Sequence, residues 1–543
     1  MSRVTGKTAE GSQDRMDADV AVIGYGPTGM VTAALLAKAG HRVVVLERYG
    51  GLYNLPRAAI FDDETMRTFA ALGIAEVMLP KVRAQRSYQW RNGSGELLIE
   101  HEFAETGRCG WAEWYMMYQP DLEDALDMAC RAYPDLDIRH HAPVTAVDQA
   151  ADAVTLRISA SDGEVVTARY VVACDGGNSF TRQALGVGQF DYGFSEPWLV
   201  CDFRLHGEVI LPTAMQVCDP GQPIAIISLG PGHHRFSFML DSDRDFESQR
   251  QPDRVWRRVR NYLDPQDADL IRAATYTFRS LVADRWRVGR ILLAGDAAHE
   301  MPPFLGQGMC SGIRDAQNIA FKLDLVLRDR ATIELLDTYQ AEREEHVRTV
   351  IEKGIELGRV QTMRDPAEAA ERDRRLLAQR AAHQAPEKLR FPGLSAGLLA
   401  SAPMPGRGEL FLQAIVDNGY RRGRFDDVAP GTGFVLITTV RLRQALQDSG
   451  ALAAALRAGI RAIALTGQPA GGSAHEDRAS AEGAIDDVTG SYHRWLAEHG
   501  CCAVIVRPDR YVYGCASDVT SAEALISELL ASIGGRVAET AVS

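Results

Sequence analysis

Asp19-Val-Ala-Val-Ile-Gly-Tyr-Gly-Pro-Thr-Gly-Met30 decides the fold. The β-branched run Asp19–Ile23 predicts a short buried strand. A glycine turn follows, and Met30–Ala39 has the composition of a helix that Gly40 stops before a second strand, Arg42–Leu46. The result is a β-α-β unit with the spacing Gly24-x-Gly26-x-x-Gly29. Gly24 permits the tight turn, Gly26 lets a pyrophosphate approach the backbone, and Gly29 allows close helix packing. The helix N-terminus presents free N–H groups to the negative charge. Glu47 ends the second strand about twenty residues on, where an acid accepts two ribose hydroxyls. Pro27 in the turn and Arg48 beside the acid belong to the same candidate site. A purely structural glycine turn is the competing reading, and strand, helix and acid together favour a bound dinucleotide.

NAD and FAD both suit such a unit, so other signals decide. Arg290-Ile-Leu-Leu-Ala-Gly-Asp-Ala-Ala-His299 places Asp296 just after a strand, where a carboxylate can bond the ribityl chain of a flavin. Met301-Pro-Pro-Phe-Leu-Gly-Gln-Gly-Met309 follows. Its glycines let backbone N–H groups approach a planar ring, and the helix beginning near Ser311 can stabilise negative charge on a reduced flavin. Its plainer reading is a glycine loop capping a helix. Cys174-Asp175-Gly176 also closes a strand and brings Asp175 toward a nicotinamide-flavin passage.

Working outward, 543 residues suit two or three domains. A net charge of −13 disfavours nucleic acid or an anionic membrane as a general partner. Nine cysteines without a C-x-x-C pair or a zinc-type cluster indicate neither a disulfide framework nor a metal site, and the chain reads as reduced and cytoplasmic. The start lacks an apolar export segment, and no long apolar span occurs.

The predicted class is α/β: a Rossmann-like FAD-binding domain, a mainly β substrate domain and a C-terminal thioredoxin-like domain. Residues 1–16 read as a disordered leader, 17–189 with 286–360 as the FAD-binding domain, and 190–285 as the substrate domain. A helical region and linker follows over 361–406. The last domain, 407–543, has strand candidates Phe434–Thr439, Ile460–Leu465, Ala503–Val506 and Tyr511–Tyr513.

Three blocks resemble the fingerprints of the class A flavoprotein monooxygenases, the p-hydroxybenzoate and phenol hydroxylase group. They are Gly24–Gly29 with Glu47, Cys174–Gly176 through Arg182, and Gly295-Asp296 through Gly308. Pro56–Arg67 and Trp198–Asp202 look most like the 3-(3-hydroxyphenyl)propionate hydroxylase branch. Val506–Gly514 resembles the thioredoxin-like terminal domain of phenol and polyketide hydroxylases, though without C-x-x-C. That domain is therefore expected to serve dimer packing or scaffold support, in a homodimer if the chain assembles.

The resemblance implies FAD reduced by NADH or NADPH, with O₂ as co-substrate. It implies hydroxylation of a small aromatic or polycyclic phenol through a flavin C4a-hydroperoxide. By the same resemblance Arg57 lies near the flavin, Gln119 contacts FAD, Asp296 holds the ribityl chain, and Pro303, Gly306, Gln307, Gly308 and Met309 face the ring. A general base would raise the ring's nucleophilicity. Asp62 matches an active-site Asp of phenol hydroxylase, although an Asp ahead of a helix is also an ordinary N-cap. His299 is the second catalytic candidate. Trp114, Met116, Phe236, Phe238 and Pro302 are expected to contact substrate.

Three alternatives compete. A Baeyer-Villiger or epoxidising relative would use the same cofactor on a polyketide. An FAD-holding scaffold would have lost catalysis. A halogenase is disfavoured, because Trp111-Ala-Glu-Trp114 lacks a following Ile-Pro.

Overall fold

The computed structural model describes residues 16–159, 163–242, 245–389, 391–467 and 483–533. The leader expected over 1–16 lies, except for Met16, outside the described residues.

Ala18–Ile23 forms the centre of a parallel sheet, between Val43–Leu46 and Val165–Ala173. Leu136–Arg139 and Ile291–Leu293 extend it on the two sides. Val43–Leu46 is buried throughout, as expected of a parallel strand covered on both faces. Helix Pro27–Lys38 packs against the long helix Gly308–Leu327. The chain thus returns to the first domain after leaving it. Val144–Gln149 and Val154–Ile158 form an antiparallel hairpin joined to the same sheet.

The second sheet runs in the order His299–Glu300, Ala268–Ala283, Gln189–Leu205, His233–Met239, Ile224–Ser228, Ala214–Cys218, Ser87–Asn92, Leu97–Glu102. Its last two strands come from the stretch assigned by sequence to the FAD-binding domain. Ser87–Asn92 joins Ala214–Cys218 in parallel, with Met215 opposite Gln89. Tyr88 and Trp90 alternate inward with partly exposed neighbours, the pattern of a strand that needs a sheet to cover one face.

The third domain pairs Val435–Thr439 in parallel with Arg461–Thr466 and antiparallel with Ala503–Val506, which pairs in turn with Val512–Ala516. With helices Val440–Asp448, Ser491–Glu498 and Val519–Ser532, this is the thioredoxin-like β-α-β, β-β-α arrangement. Its nearest cysteines are free thiols, as are all nine in the chain. Helix Pro366–Ala381 occupies the connecting region, its first turn capped by Asp365. Among the described residues, no helix is long and apolar enough to cross a membrane.

Candidate active site

The glycine turn is shaped by close packing. A Cβ at Gly24 would lie 2.4 Å from the Cys174 carbonyl oxygen, and one at Gly29 would lie 2.1 Å from the Gly24 oxygen. Gly24 also has φ +98°, where an L side chain is strained. At Gly26 a Cβ would meet nothing within 4 Å, so the turn is open on the side where the helix N-terminus points. Pro27 occupies the first turn of that helix, where its missing N–H costs nothing. Glu47 faces this turn: Oε2 accepts from the Tyr25 amide at 2.7 Å and Oε1 from the Tyr49 amide at 2.9 Å. Each oxygen retains a lone pair for a further donor. Arg48 is exposed, its guanidinium 4.9 Å from the Tyr49 ring.

Two later loops converge on the same place. Asp175 accepts from Ser179 Oγ at 2.6 Å and from the Thr181 amide at 2.9 Å. Arg182 then reaches the carbonyls of Ala297 at 3.0 Å and Gly177 at 2.7 Å, joining the second fingerprint to the third. At Gly295 a Cβ would stand 2.8 Å from Thr28 Oγ1, so the third loop sits directly on the first. Asp296 is surrounded by protein yet opens to the central cavity. Loss of bulk water pushes its carboxyl upward, while His299 and Arg57 oppose that shift.

The cavity measures about 360 Å³. Pro27, Arg57, Gln119, Asp296, Pro303, Gly306, Gly308 and Met309 line one side. The Gln119 carbonyl oxygen accepts from the amides of Arg57 at 3.1 Å and Ala58 at 2.6 Å, fixing that wall. Gly306 has φ +61°, and a Cβ there would stand 2.9 Å from Ile60 Cβ. Gln307 is buried behind the wall; its carbonyl accepts from Arg314 at 3.0 Å, and its Nε2 has no partner. The opposite wall is the second sheet, which contributes Tyr88, Trp198, Gln216, Arg235, Ser237 and Tyr276. Arg235 pairs with buried Asp202 through two bonds of 2.6 and 3.1 Å and reaches the carbonyls of Pro56 at 3.0 Å and Arg57 at 2.5 Å. One side chain thereby ties the sheet to the Pro56–Arg57 loop.

Several expected residues lie elsewhere. Asp62 is absent from the cavity wall. It caps helix Asp63–Ala71 by accepting from the Thr65 amide at 2.9 Å, and it pairs with Arg314. Burial pushes its carboxyl up, but Arg314 and the cap outweigh that and hold it below its usual range. A committed cap and ion partner is poorly placed to take a substrate proton. His299 is also absent from the wall: its Nε2 lies 2.7 Å from Asp315, which takes Arg343 on its other oxygen at 3.0 Å.

The expected substrate contacts need the same correction. Trp114 stacks on Phe103 at 4.7 Å, and Met116 is fully buried in the same cluster. Phe236 and Phe238 point to the far face of the sheet, into a core with Val255 and Val259. Alternation along the strand therefore gives the cavity Arg235 and Ser237 instead. Pro302 is buried against helix Thr338–Thr362 at Gly354. Arg235, Tyr88 and Gln216 were the residues missed. The alternation that carries Tyr88 and Arg235 is visible in sequence, but not which face meets a cavity.

The open Gly26 turn, the two amide-bound oxygens of Glu47 and the exposed carboxylate of Asp296 fit a dinucleotide lying along this groove. The family comparison agrees: the FAD binding domain matches residues 17–354. The chain belongs to the FAD binding domain family. It is a flavin monooxygenase family, and the cofactor of this member is FAD. The HcaD C-terminal domain matches residues 408–532 of the same chain. This family member is 51% identical, over 96% of its length and 96% of the relative's, to a protein of Rhodococcus jostii (strain RHA1) named probable NADH-specific resorcinol 4-hydroxylase. It is 33% identical, over 92% and 90%, to a 3-(3-hydroxy-phenyl)propionate/3-hydroxycinnamic acid hydroxylase of Mycobacterium sp. (strain JLS). Aklavinone-11 hydroxylase, solved with FAD and aklavinone, shares the fold with a TM-score of 0.75 at 24% identity, covering 96% of this chain and 100% of that one.

Proposed function

We propose that this protein hydroxylates a one-ring phenol of the resorcinol type, with NADH as reductant and O₂ as oxidant. The observation that carries the reading is the placement of Arg235 across the cavity from the Gly306–Met309 wall. Bound FAD supplies the oxygen-activating and electron-accepting chemistry. The chain's own residues hold it and shape the space beside it: Gly24, Gly26, Gly29 and Glu47 at the dinucleotide end, Asp296 at the ribityl chain, and Arg57, Gln119 and Gly306–Met309 near the ring.

The size of the space supports a small substrate. About 360 Å³ is near the lower end of the roughly 300–1,000 Å³ usual for ligand sites, and the ring of the cofactor shares it. The walls also indicate how a phenol is held. Tyr88 hydroxyl accepts from the Gln216 amide, leaving its own proton for a substrate oxygen. Arg235 is paired with Asp202, and its Nη1, which gives one N–H to the Arg57 carbonyl, has a second N–H for the substrate oxygen, a bond that favours the electron-rich phenolate the reaction needs. No lining carboxylate other than Asp296, and no lining histidine, is present among the described residues. Hydrogen bonds from Tyr88 and Arg235 to the substrate oxygen therefore stand in for the side-chain base expected from sequence. The 51% identity to the resorcinol hydroxylase supports both the substrate class and the choice of NADH.

The test is a binding titration of FAD-loaded protein with one-ring phenols and with polycyclic phenols, read by the change in flavin absorbance. One-ring phenols should saturate the signal and polycyclic ones should not. Saturation by polycyclic phenols alone would overturn the assignment.

A further inference from the structure

A second opening, of about 770 Å³, lies where the thioredoxin-like domain meets the FAD-binding domain. Lys38, Arg330, Arg421, Arg424, Arg461 and Arg510 line it. Three acids share the wall, Asp324, Asp426 and Asp427. Asp426 is taken by Arg67 at 2.7 and 2.9 Å and by Arg510 at 3.0 Å. Asp324 is taken by His41 at 2.8 Å and Arg328 at 2.6 Å, and Asp427 lies 3.8 Å from Arg424. Positive charge is therefore in excess here, in a chain whose net charge is −13.

The cations are not arranged to satisfy one another. Arg461 gives Nη1 to the carbonyls of Ala429 and Pro430 at 2.8 and 2.9 Å, but its buried Nε–H has no partner. Burial makes its charged form less favourable, and Arg510 adds to that against Asp426. Burial and Arg510 act on Lys38 in the same way. A multiply charged anion would relieve both, and arginine forks match carboxylate and phosphate oxygens in pairs.

We propose that this cleft binds a small organic polyanion, carrying phosphates or several carboxylates, that bridges the two domains. It is not a second reductant site. The cleft takes the C-terminal end of the 12-residue helix Pro27–Lys38, whose other end meets the dinucleotide turn. At 1.5 Å per residue, roughly 18 Å of helix separates the two. The ligand acts on the domain junction, and its binding to the folded state raises stability.

The experiment is calorimetric titration of FAD-loaded protein with pyrophosphate, ATP and citrate at constant ionic strength, so that the dinucleotide groove is already filled. Saturable binding of at least one probe, with a rise in melting temperature, is expected; the pyrophosphate and citrate arms separate phosphate from carboxylate recognition. The double variant Lys38→Gln/Arg421→Gln, with one change on each domain of the cleft, should raise Kd at least about tenfold. Arg375→Gln, on helix Pro366–Ala381 outside the cleft, should leave Kd unchanged. If the double variant is unstable, Arg421→Gln alone carries the same comparison. No saturable binding of any probe, or equal affinity in the cleft variant, would overturn the proposal.

Discussion

Arg507 of the thioredoxin-like domain donates to Glu342 of helix Thr338–Thr362 at 2.6 Å, and neither side chain reaches solvent. Lys322 lies 2.8 Å from the same carboxylate oxygen, and Asn318 donates to it at 2.6 Å. Asn318 also reaches Asp509 at 3.1 Å, and Tyr511 donates to Glu64 at 3.2 Å. The terminal domain thus completes buried charge networks of the flavin domain. Removing it near Pro405 would take Arg507 from Glu342 and Tyr511 from Glu64, so such a truncation is expected to destabilise the flavin domain.

Arg507→Gln should destabilise the protein by about 3–5 kcal/mol, the usual cost of stranding one partner of a buried pair. Chemical denaturation measures this. Burial pushes the Glu342 carboxyl up, but Arg507 and Lys322 hold it well below the usual range. Its contribution is therefore present above the unfolded value of about 4.3 and is lost as pH falls below it. The wild type should lose stability on acidification, and the variant should show a shallower loss. Equal stability of the two proteins at pH 7 would contradict the network's role.

Asp63 carries the opposite pH dependence. Burial, and then the adjacent Asp62 charge, push its carboxyl up to about 7, although it accepts from the Cys109 amide at 2.7 Å. A raised acid contributes stability that is full below its unfolded value of about 3.9 and is lost as pH rises through 7. Asp63→Asn keeps the acceptor and removes the charge. It should be more stable than the wild type above pH 7 by on the order of 4 kcal/mol, the margin shrinking steadily as pH falls toward the unfolded value. Melting curves across that range measure the effect, and a variant less stable at pH 8 would refute it.

Asp62→Asn should act on folding and not on the pH dependence of turnover. The cap to Thr65 can survive, but Arg314 loses one of its two carboxylates, Asp62 and Glu64. A fall of about 1–3 kcal/mol in stability is expected. The coupled hydroxylation rate should keep its wild-type pH profile. A selective loss of the alkaline or neutral limb would restore Asp62 as a base.

The structure makes the same division between what was legible and what was not. Gly24 and Gly29 were readable because their need is local: backbone carbonyls stand where a Cβ would be. The strands of the terminal domain were readable from their own β-branched runs. Ser87–Glu102 was not assigned to the second sheet, because its partner Ala214–Cys218 is distant in the chain and pairing is non-local. Phe236 and Arg235 adjoin on one strand, and only the packing of Val255 and Val259 on one face decides which of them sees the cavity. Asp62 illustrates a different limit, since a cap and a base have the same sequence signature until Arg314 is seen beside it.

Asp296→Ala should lower FAD occupancy at least about tenfold while leaving the far-ultraviolet spectrum unchanged, because the lost bonds are to the cofactor and not to the fold. Flavin released on desalting measures it. Full occupancy in the variant would remove Asp296 from the site.

The most direct test of the account is to supply FAD-loaded protein with NADH, isotopically heavy O₂ and resorcinol, and to record NADH loss and product mass together. The account predicts that resorcinol accelerates NADH oxidation and that a product carrying one heavy oxygen atom accumulates in proportion to NADH consumed. NADH oxidation unaffected by resorcinol or any other one-ring phenol, with no oxygenated product, would contradict it.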